Sequence, residues 1–359
     1  MLELIAAARA AIGKPRRLAE VLERPEVGAL VRRVRGDLRD VTRVLPFLVP
    51  VIDAGLTAAN RKTSGFPVVI GGYRDVSALQ VDGVSWTDPM QGCLGDCYLL
   101  AAMSALAWSR PVRWRERLAQ AVRDGAATNQ LRFNLFRNGV SQYAPFDMPG
   151  RVPVGFHGQL VYAHSGTAEE SWPALVERAF VMQRCRLRGV DPTERHYDRL
   201  GDPDDLACYP EHAARMLAGG RARTCMRLDR YDDRLSVVLA RQCDDGVVRF
   251  PTMAATRSAS PRFTSAARAR WRAAGLVPGH AYTVLGTMER AGETLIVLRN
   301  PYGFNVPGDT RATGAWRTGR GAPERSVHLG AGGVIAIAAA HFDAWFTRLG
   351  WLVLPPDAA

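Results

Sequence analysis

Cys97 is the residue of this chain best suited to covalent chemistry. It follows a glycine-punctuated loop, Gln-Gly-Cys-Leu-Gly-Asp over residues 91–96, and begins a largely apolar run that ends at Trp108. If that run is a helix, its first N–H groups and its dipole favour the thiolate, which attacks carbonyl carbons. Gln91, six residues upstream, carries an amide suited to a developing oxyanion. A cysteine at a helix start is more often a packing residue, so catalysis also requires a base.

A base and a residue to orient it stand in the last third of the chain. His280 precedes the candidate strand Ala281–Thr287, and Asn300 follows the candidate strand Thr294–Leu298 twenty residues later. Neighbouring antiparallel strands bring such ends side by side. Cysteine, histidine and asparagine then supply a nucleophile, a general base and a group that orients the imidazole. A lone histidine is more often structural, but two matched segments that each adjoin glycine favour the catalytic interpretation.

Four separated segments together resemble the calpain family of papain-like cysteine proteases. They are residues 91–102 around Cys97, residues 170–180 around Trp172, residues 279–282 around His280 and residues 299–303 around Asn300. Residues 342–349 also look like the closing segment of that protease core, so the likeness extends over about residues 65–355.

The resemblance implies an α+β fold, a papain-like core of two subdomains. A helical subdomain would carry Cys97, and a β-rich subdomain would carry His280 and Asn300. Gln91 and the backbone N–H of Cys97 would form the oxyanion hole, and an extended peptide would lie across the cleft. The family usually has tryptophan at two positions where this chain has Tyr98 and Tyr302. A tyrosine ring at the second position can still shield the histidine–asparagine hydrogen bond from water.

The resemblance also implies one calcium site built from oxygen ligands, which suit Ca²⁺. The matching positions are Val81, Gly83, Asp88 and Glu170. The alternative is that Asp88 caps a turn and Glu170 favours a helix N-terminus. Members of the family have a second site with acidic ligands, and the matching regions here lack them, so we expect no second ion. Those regions contain Phe304, Val306, Ala331 and Gly333. No organic cofactor is expected.

The chain divides into three predicted segments: a helical N-terminal extension over residues 1–63, a helical protease subdomain over residues 64–205, and a β-rich subdomain over residues 206–359. An apolar stripe from Val31 to Leu45 supports the helical extension. The extension would pack on its own core, or alternatively bind a partner, target the chain or inhibit the enzyme.

Several further elements follow from periodicity and composition. The predicted helices are Cys97–Trp108, Glu169–Met182 and a short helix that begins at His341. The predicted hairpin joins Leu131–Phe136 to Gln142–Phe146. The predicted strands are Leu235–Leu239, Ala281–Thr287, Thr294–Leu298, Val334–Ala338 and a final strand ending near Trp351.

The charge and lysine content of the chain bear on its expected partners and on its origin. The 359 residues carry a net charge of +12, but acids are interleaved and no zinc-finger or RNA-recognition motif occurs, so nucleic acid is not an expected partner. Only two of the 47 basic residues are lysines, which is typical of a GC-rich bacterial genome. The alternative is a toxin that avoids ubiquitin acceptors.

The N-terminus lacks the pattern of a secretory signal, and Val44–Leu56 is too short to be a transmembrane segment. We therefore expect cytoplasmic synthesis, with a dedicated secretion system as the alternative fate.

These observations predict a calpain-type cysteine endopeptidase that cleaves protein or peptide substrates through a thioester, with a role as a bacterial effector as one biological context. Two alternatives remain. The same residues could serve a cysteine-dependent acyltransferase or transglutaminase, or the chain could be a non-catalytic binding module.

Overall fold

A computed structural model describes sixteen parts of the chain. They are residues 72–75, 83–92, 94–125, 130–140, 142–144, 146–154, 160, 162–166, 170–187, 189, 208–226, 234–258, 269–271, 273–305, 313–318 and 325–355. All of them belong to one compact unit, Val69–Ala359. The predicted extension over residues 1–63 and its apolar stripe lie outside the described residues, and the two boundaries between the three predicted segments stay predictions.

Six helices of the described residues have defined bounds. They are α1 (Cys97–Ser109), α2 (Pro111–Gly125), α3 (Trp172–Arg186), α4 (Pro210–Ala218), α5 (Leu235–Ala240) and α6 (Ala339–Trp345). Every residue of α1 from Tyr98 to Trp108 is buried, as a helix that is apolar on all sides should be. The helix that carries Cys97 is therefore an internal element of the fold.

Thirteen strands complete the described elements. They are β1 (Gly72–Asp75), β2 (Gln130–Phe133), β3 (Phe146–Pro149), β4 (Arg151–Val154), β5 (Arg221–Met226), β6 (Cys243–Asp244), β7 (Val247–Thr256), β8 (Ala281–Arg290), β9 (Glu293–Arg299), β10 (Gly314–Thr318), β11 (Arg325–Leu329), β12 (Val334–Ala338) and β13 (Phe346–Val353). The largest sheet is antiparallel in the order β12-β9-β8-β7-β13-β5, with β6 paired to β7. Three two-stranded sheets pair β1 with β4, β2 with β3, and β10 with β11.

Helix α1 packs against strands β7 and β8 of the large sheet. Two buried side chains fix its position by hydrogen bonds to main-chain carbonyls. The Thr283 hydroxyl donates to the Ala101 carbonyl at 2.9 Å, and the Trp108 indole N–H donates to the Leu285 carbonyl at 3.0 Å. Because these bonds are buried, loss of either would leave an unsatisfied polar group. They hold the helix that begins at Cys97 against the strand that follows His280.

Most predicted elements agree with the structure. The helix after Cys97, the helix containing Trp172, the strands β8, β9 and β12, and the final helix and strand are confirmed. The predicted hairpin exists, with β2 and β3 in antiparallel register and a bridge from Phe136 to Gln142, although its second strand starts at Phe146. The mixed helix and sheet content fits the α+β class.

The strand predicted over Leu235–Leu239 is wrong, because this segment forms helix α5. Its N-terminus is capped by Asp343 of α6, whose carboxylate accepts the Ser236 backbone N–H at 2.9 Å and the Ser236 hydroxyl at 2.6 Å. A cap contributed by a distant part of the chain overrides the strand preference of a short branched run.

None of the helices in the described part of the chain is both long enough and apolar enough to span a bilayer.

Candidate active site

Cys97 is the first residue of helix α1 and is half-buried. Asp96 occupies the preceding N-cap position, and its backbone carbonyl accepts the Leu99 N–H at 2.8 Å. The Cys97 sulfur lies 3.4 Å from the backbone nitrogen of Ala281, which donates to it. Ala281 directly follows His280, so the backbone next to the predicted base contacts the predicted nucleophile, which lies 183 positions before that base in sequence.

His280 and Asn300 are joined by a hydrogen bond of 3.0 Å between Nε2 and Oδ1. They flank strands β8 and β9, which pair with each other. Asn300 Oδ1 also accepts the backbone N–H of Tyr302 at 3.0 Å, which requires an oxygen at this position. His280 Nε2 must then carry the proton, so in the neutral ring the lone pair lies on Nδ1.

The His280–Asn300 pair is buried, with 4% of His280 and 1% of Asn300 exposed. Burial lowers the pKa of His280 to about 4, and the hydrogen bond to Asn300 opposes this change. The imidazole is therefore neutral at pH 7, as a proton acceptor must be. Tyr302 covers one side with its ring centroid 4.5 Å from that of His280, and Tyr282 packs edge-on at 5.1 Å. The predicted shielding by Tyr302 agrees with this packing.

Gln91 lies in the loop before α1, and its backbone N–H donates to the Pro301 carbonyl at 2.8 Å. Its side-chain amide nitrogen donates to the Leu94 carbonyl at 2.5 Å within the loop. The structure therefore brings this loop against the turn that follows Asn300. An amide NH₂ has two donors, so Gln91 retains a second N–H after its bond to Leu94.

Two of the residues predicted to bind calcium, Asp88 and Glu170, lie at the N-terminal end of α3. Asp88 Oδ2 accepts the Ser85 backbone N–H at 2.6 Å and the Trp172 indole N–H at 3.0 Å. Glu170, two residues before that tryptophan, is fully buried and accepts the Ser165 hydroxyl at 2.7 Å. Gly83 lies in the same loop as Asp88 with a φ of +106°, whereas Val81 lies outside the described residues. Two buried carboxylates at one end of α3 fit a hard cation.

Two charged residues beside the site received no role from the sequence. Asp96 is fully buried, and burial raises the pKa of its carboxyl group to about 7, while a side-chain hydrogen bond with Glu177 opposes the change. Arg299, immediately before Asn300, is also fully buried. In both cases the only sign of burial in the sequence was a charged residue next to an apolar run.

Comparison with known proteins agrees with the geometry. The sequence pattern described as "Calpain family cysteine protease" matches residues 73–320. Calpain-5 of Mus musculus is 29% identical over 267 residues, which make up 67% of this chain and 37% of the mouse protein. Calpain-8 of Rattus norvegicus is 26% identical over 242 residues, covering 66% of this chain and 30% of the rat protein.

The Calpain-2 catalytic subunit of Gallus gallus is 26% identical over 243 residues, covering 65% of this chain and 30% of the chicken protein. The chain therefore matches about a third of the length of these relatives. The family pattern itself covers well over half of the chain. On that match, the chain belongs to the calpain family of cysteine proteases.

Proposed function

We propose that the chain is an active cysteine endopeptidase in which Cys97, His280 and Asn300 form the catalytic triad. The observation that carries the proposal is the convergence of three elements. The start of α1 places the Cys97 sulfur beside residue 281, while the ends of β8 and β9 join His280 to Asn300 with the ring tautomer fixed. This convergence supports the proposal, because a thiol nucleophile must lie close to an oriented general base.

In the proposed reaction the Cys97 thiol gives its proton to His280 Nδ1, and the sulfur attacks the peptide carbonyl carbon. The oxyanion accepts hydrogen bonds from the Gln91 amide and from the backbone N–H of Cys97. The imidazolium then returns the proton to the leaving amine nitrogen as the C–N bond breaks, which leaves a thioester. His280 next takes a proton from water, whose oxygen attacks the thioester carbon. The C–S bond then breaks, the imidazolium returns the proton to the Cys97 sulfur, and the product leaves with a free carboxyl group.

Cleavage of unfolded casein by the full chain tests this proposal. We expect Cys97→Ala to abolish cleavage, and Cys243→Ala, which changes a half-buried cysteine of β6, to retain it. The melting temperatures of both variants establish that they are folded. Undiminished cleavage by Cys97→Ala would exclude the proposed nucleophile, and no cleavage by the parent chain would exclude the protease function.

Mass spectrometry of the products distinguishes hydrolysis from acyl transfer on the same triad. Hydrolysis leaves new carboxyl and amino termini, and ¹⁸O from labelled water enters the carboxyl group. Acyl transfer joins an added primary amine to the substrate instead. Predominant amine incorporation in the presence of a lysine analogue would replace the protease assignment with a transferase.

We also propose that one calcium ion binds at Asp88 and Glu170, with the carbonyl groups of Gly83 and Val81 as further ligands. The proposal is supported by two buried carboxylates that lie at one end of α3, both linked to neighbouring donors. A bound ion would neutralise these charges and fix the loop that leads to Gln91.

Thermal unfolding in the Cys97→Ala background, which prevents self-cleavage, tests calcium binding without relying on activity. At a calcium concentration ten times the dissociation constant, binding adds about 1.4 kcal/mol, or roughly 3 °C in melting temperature. We expect Asp88→Asn and Glu170→Gln to remove this rise, and the exposed Glu116→Gln to keep it. A rise that survives in the Asp88→Asn, Glu170→Gln double variant would assign the ion to another site.

A further inference from the structure

Arg299 is a fully buried charged side chain at the junction of the site's elements. It is the last residue of β9 and the immediate neighbour of Asn300. Buried guanidinium groups are rare because removal from water is costly unless several hydrogen bonds compensate. The bonds that Arg299 makes therefore indicate what this charge does in the fold.

The guanidinium of Arg299 bonds to two other elements. Its Nη1 donates to the Pro89 carbonyl at 2.8 Å and to the Ser104 hydroxyl at 2.7 Å. Its Nη2 donates to the Thr87 carbonyl at 2.5 Å. Ser104 belongs to α1, and the two carbonyls belong to the loop that leads to Gln91. One side chain thus links the strand before Asn300 to the loop and to the helix of the nucleophile.

The charge of Arg299 persists at neutral pH. Burial lowers the pKa of the guanidinium to about 10, while the negative charge of Asp88 opposes this change. A planar guanidinium presents fixed donors that match several acceptors at once, whereas the ammonium group of lysine acts as a point charge. The two loop carbonyls lie on either side of Asp88, so the loop is held by its backbone.

A second bond holds the same loop on the other side of Asn300. The Gln91 backbone N–H donates to the carbonyl of Pro301, the residue after the asparagine. Residues 299 and 301 therefore both bind the loop, and Asn300 between them binds His280. A shift of the loop relative to the histidine–asparagine pair would have to break both attachments.

We propose that Arg299 is a positioning residue that holds the loop carrying Gln91 in register with the His280–Asn300 pair. The proposal rests on the proposed protease function, because it assigns the oxyanion donor to Gln91. Arg299 itself contacts neither substrate nor the reacting atoms. It acts by fixing the backbone at residues 87 and 89, so its effect on the reaction must pass through Gln91.

A double-mutant cycle on Arg299 and Gln91 tests this route of action. With labelled casein as the substrate, we expect Arg299→Met to lower kcat by about 10- to 100-fold with a much smaller change in KM, because the oxyanion donor is misplaced only in the transition state. Gln91→Ala should cost a similar factor. The kcat of the double variant should lie within about threefold of the lower of the two single-variant values, because both changes remove the same interaction.

A matched control separates positioning from general destabilisation. Arg348→Met removes another buried guanidinium, which pairs with Glu211 in the β13 region. We expect it to lower the melting temperature, yet at 20 °C its kcat should stay within about twofold of the parent because it does not contact the loop. Alkylation of Cys97 by iodoacetamide, which needs no oxyanion hole, should keep its rate within about threefold in Arg299→Met.

Two results would overturn the proposal. One is a kcat for the double variant that is reduced by the product of the two single-variant factors. The other is an alkylation rate of Cys97 in Arg299→Met that falls by the same factor as kcat. If Arg299→Met does not fold, Arg299→Lys in the same cycle decides, and the same coupling with Gln91→Ala is expected. A parent chain that fails to cleave casein would instead contradict the proposed function, so the two failures are distinguishable.

Discussion

The buried carboxyl group of Asp96 should make a large contribution to how the stability of this protein depends on pH. The pKa of Asp96 rises from 3.8 to about 7 on folding, mainly because the group leaves water. A group whose pKa is raised by folding contributes its stability at low pH and loses it as the pH increases. Between pH 4 and 7 this loss amounts to about 3 kcal/mol, because the unfolded group is already partly ionised at pH 4 and the folded group is still partly protonated at pH 7.

His280 acts in the opposite direction over nearly the same range. Burial lowers its pKa from 6.5 to about 4, so the unfolded chain binds a proton there that the folded chain does not. Stability from this group therefore increases by about 3 kcal/mol as the pH rises from 4 to 6.5. Between pH 4 and 6.5 the two contributions nearly cancel, so the stability of the parent chain shows little of either.

The substitution Asp96→Asn removes one contribution and leaves the other. In a Cys97→Ala background, we expect the free energy of unfolding of Asp96→Asn, relative to its parent, to increase by about 3 kcal/mol between pH 4 and 7. An amide preserves the shape and can still donate to Glu177, which keeps the local packing. His280→Gln should show the reverse, with a relative decrease of about 3 kcal/mol between pH 4 and 6.5.

Urea unfolding followed by tryptophan fluorescence at four pH values measures these differences. Glu116→Gln, which changes an exposed residue of α2, serves as the control and should run parallel to the parent. Parallel curves for Asp96→Asn and the parent would refute the reasoning, because they would mean that Asp96 has the same proton affinity folded and unfolded. A relative free energy of unfolding that decreases from pH 4 to 7 would mean that folding lowers the pKa of Asp96 instead of raising it.

Three further substitutions test the packing around the site. Tyr302→Ser should lower kcat for casein about 10-fold, because it admits water to His280. Tyr302→Phe should keep most of the parent kcat, because the aromatic ring provides the cover. An equal loss of kcat in both variants would indicate a role of the hydroxyl group instead. Asp343→Ala should cost about 1–2 kcal/mol in urea unfolding by removing the cap at Ser236, and no loss would contradict the capping role. Trp108→Phe should cost at least about 1 kcal/mol by the same measurement, because it leaves a buried carbonyl of β8 without its donor, and an unchanged free energy would refute that view.

The elements that carry Cys97, His280 and Asn300 were predictable because their sequence signals are local. The run after Cys97 is long and apolar, and β8 and β9 are rich in branched residues with glycine or Asn-Pro at their ends. Since antiparallel neighbours align opposite ends, the pairing of His280 with Asn300 followed from the strand boundaries alone.

Other elements depend on partners far away in sequence. Helix α5 has the composition of a strand, but Asp343 caps it from another helix. Strand β7 was not among the predicted strands, and it contains Pro251, a residue that is unusual in a central strand. The structure accommodates that proline where the register of β7 against β8 shifts, between Val247 and Thr252. Such compensation is visible only when both strands are in place.

The parts of the site that the sequence did not reveal are those that act through three-dimensional contact. Arg299 and Asp96 stand next to recognised motif residues, yet their partners lie in other elements: carbonyls of a loop for the first and Glu177 of α3 for the second. The function of the N-terminal extension and delivery by a secretion system stay predictions.

The placement of Cys97 against β8 has a consequence for synthesis of the protein in the cell. The bond from Ala281 to the sulfur and the bond from Thr283 to α1 each join residues more than 180 positions apart. At about 5–20 residues per second, a ribosome needs roughly 10–40 s to add the stretch between them. During that time the nascent chain carries its thiol without a base. The proposed protease activity, on other chains or on the protein itself, therefore cannot arise before residues 280–283 have been made and have reached the start of α1.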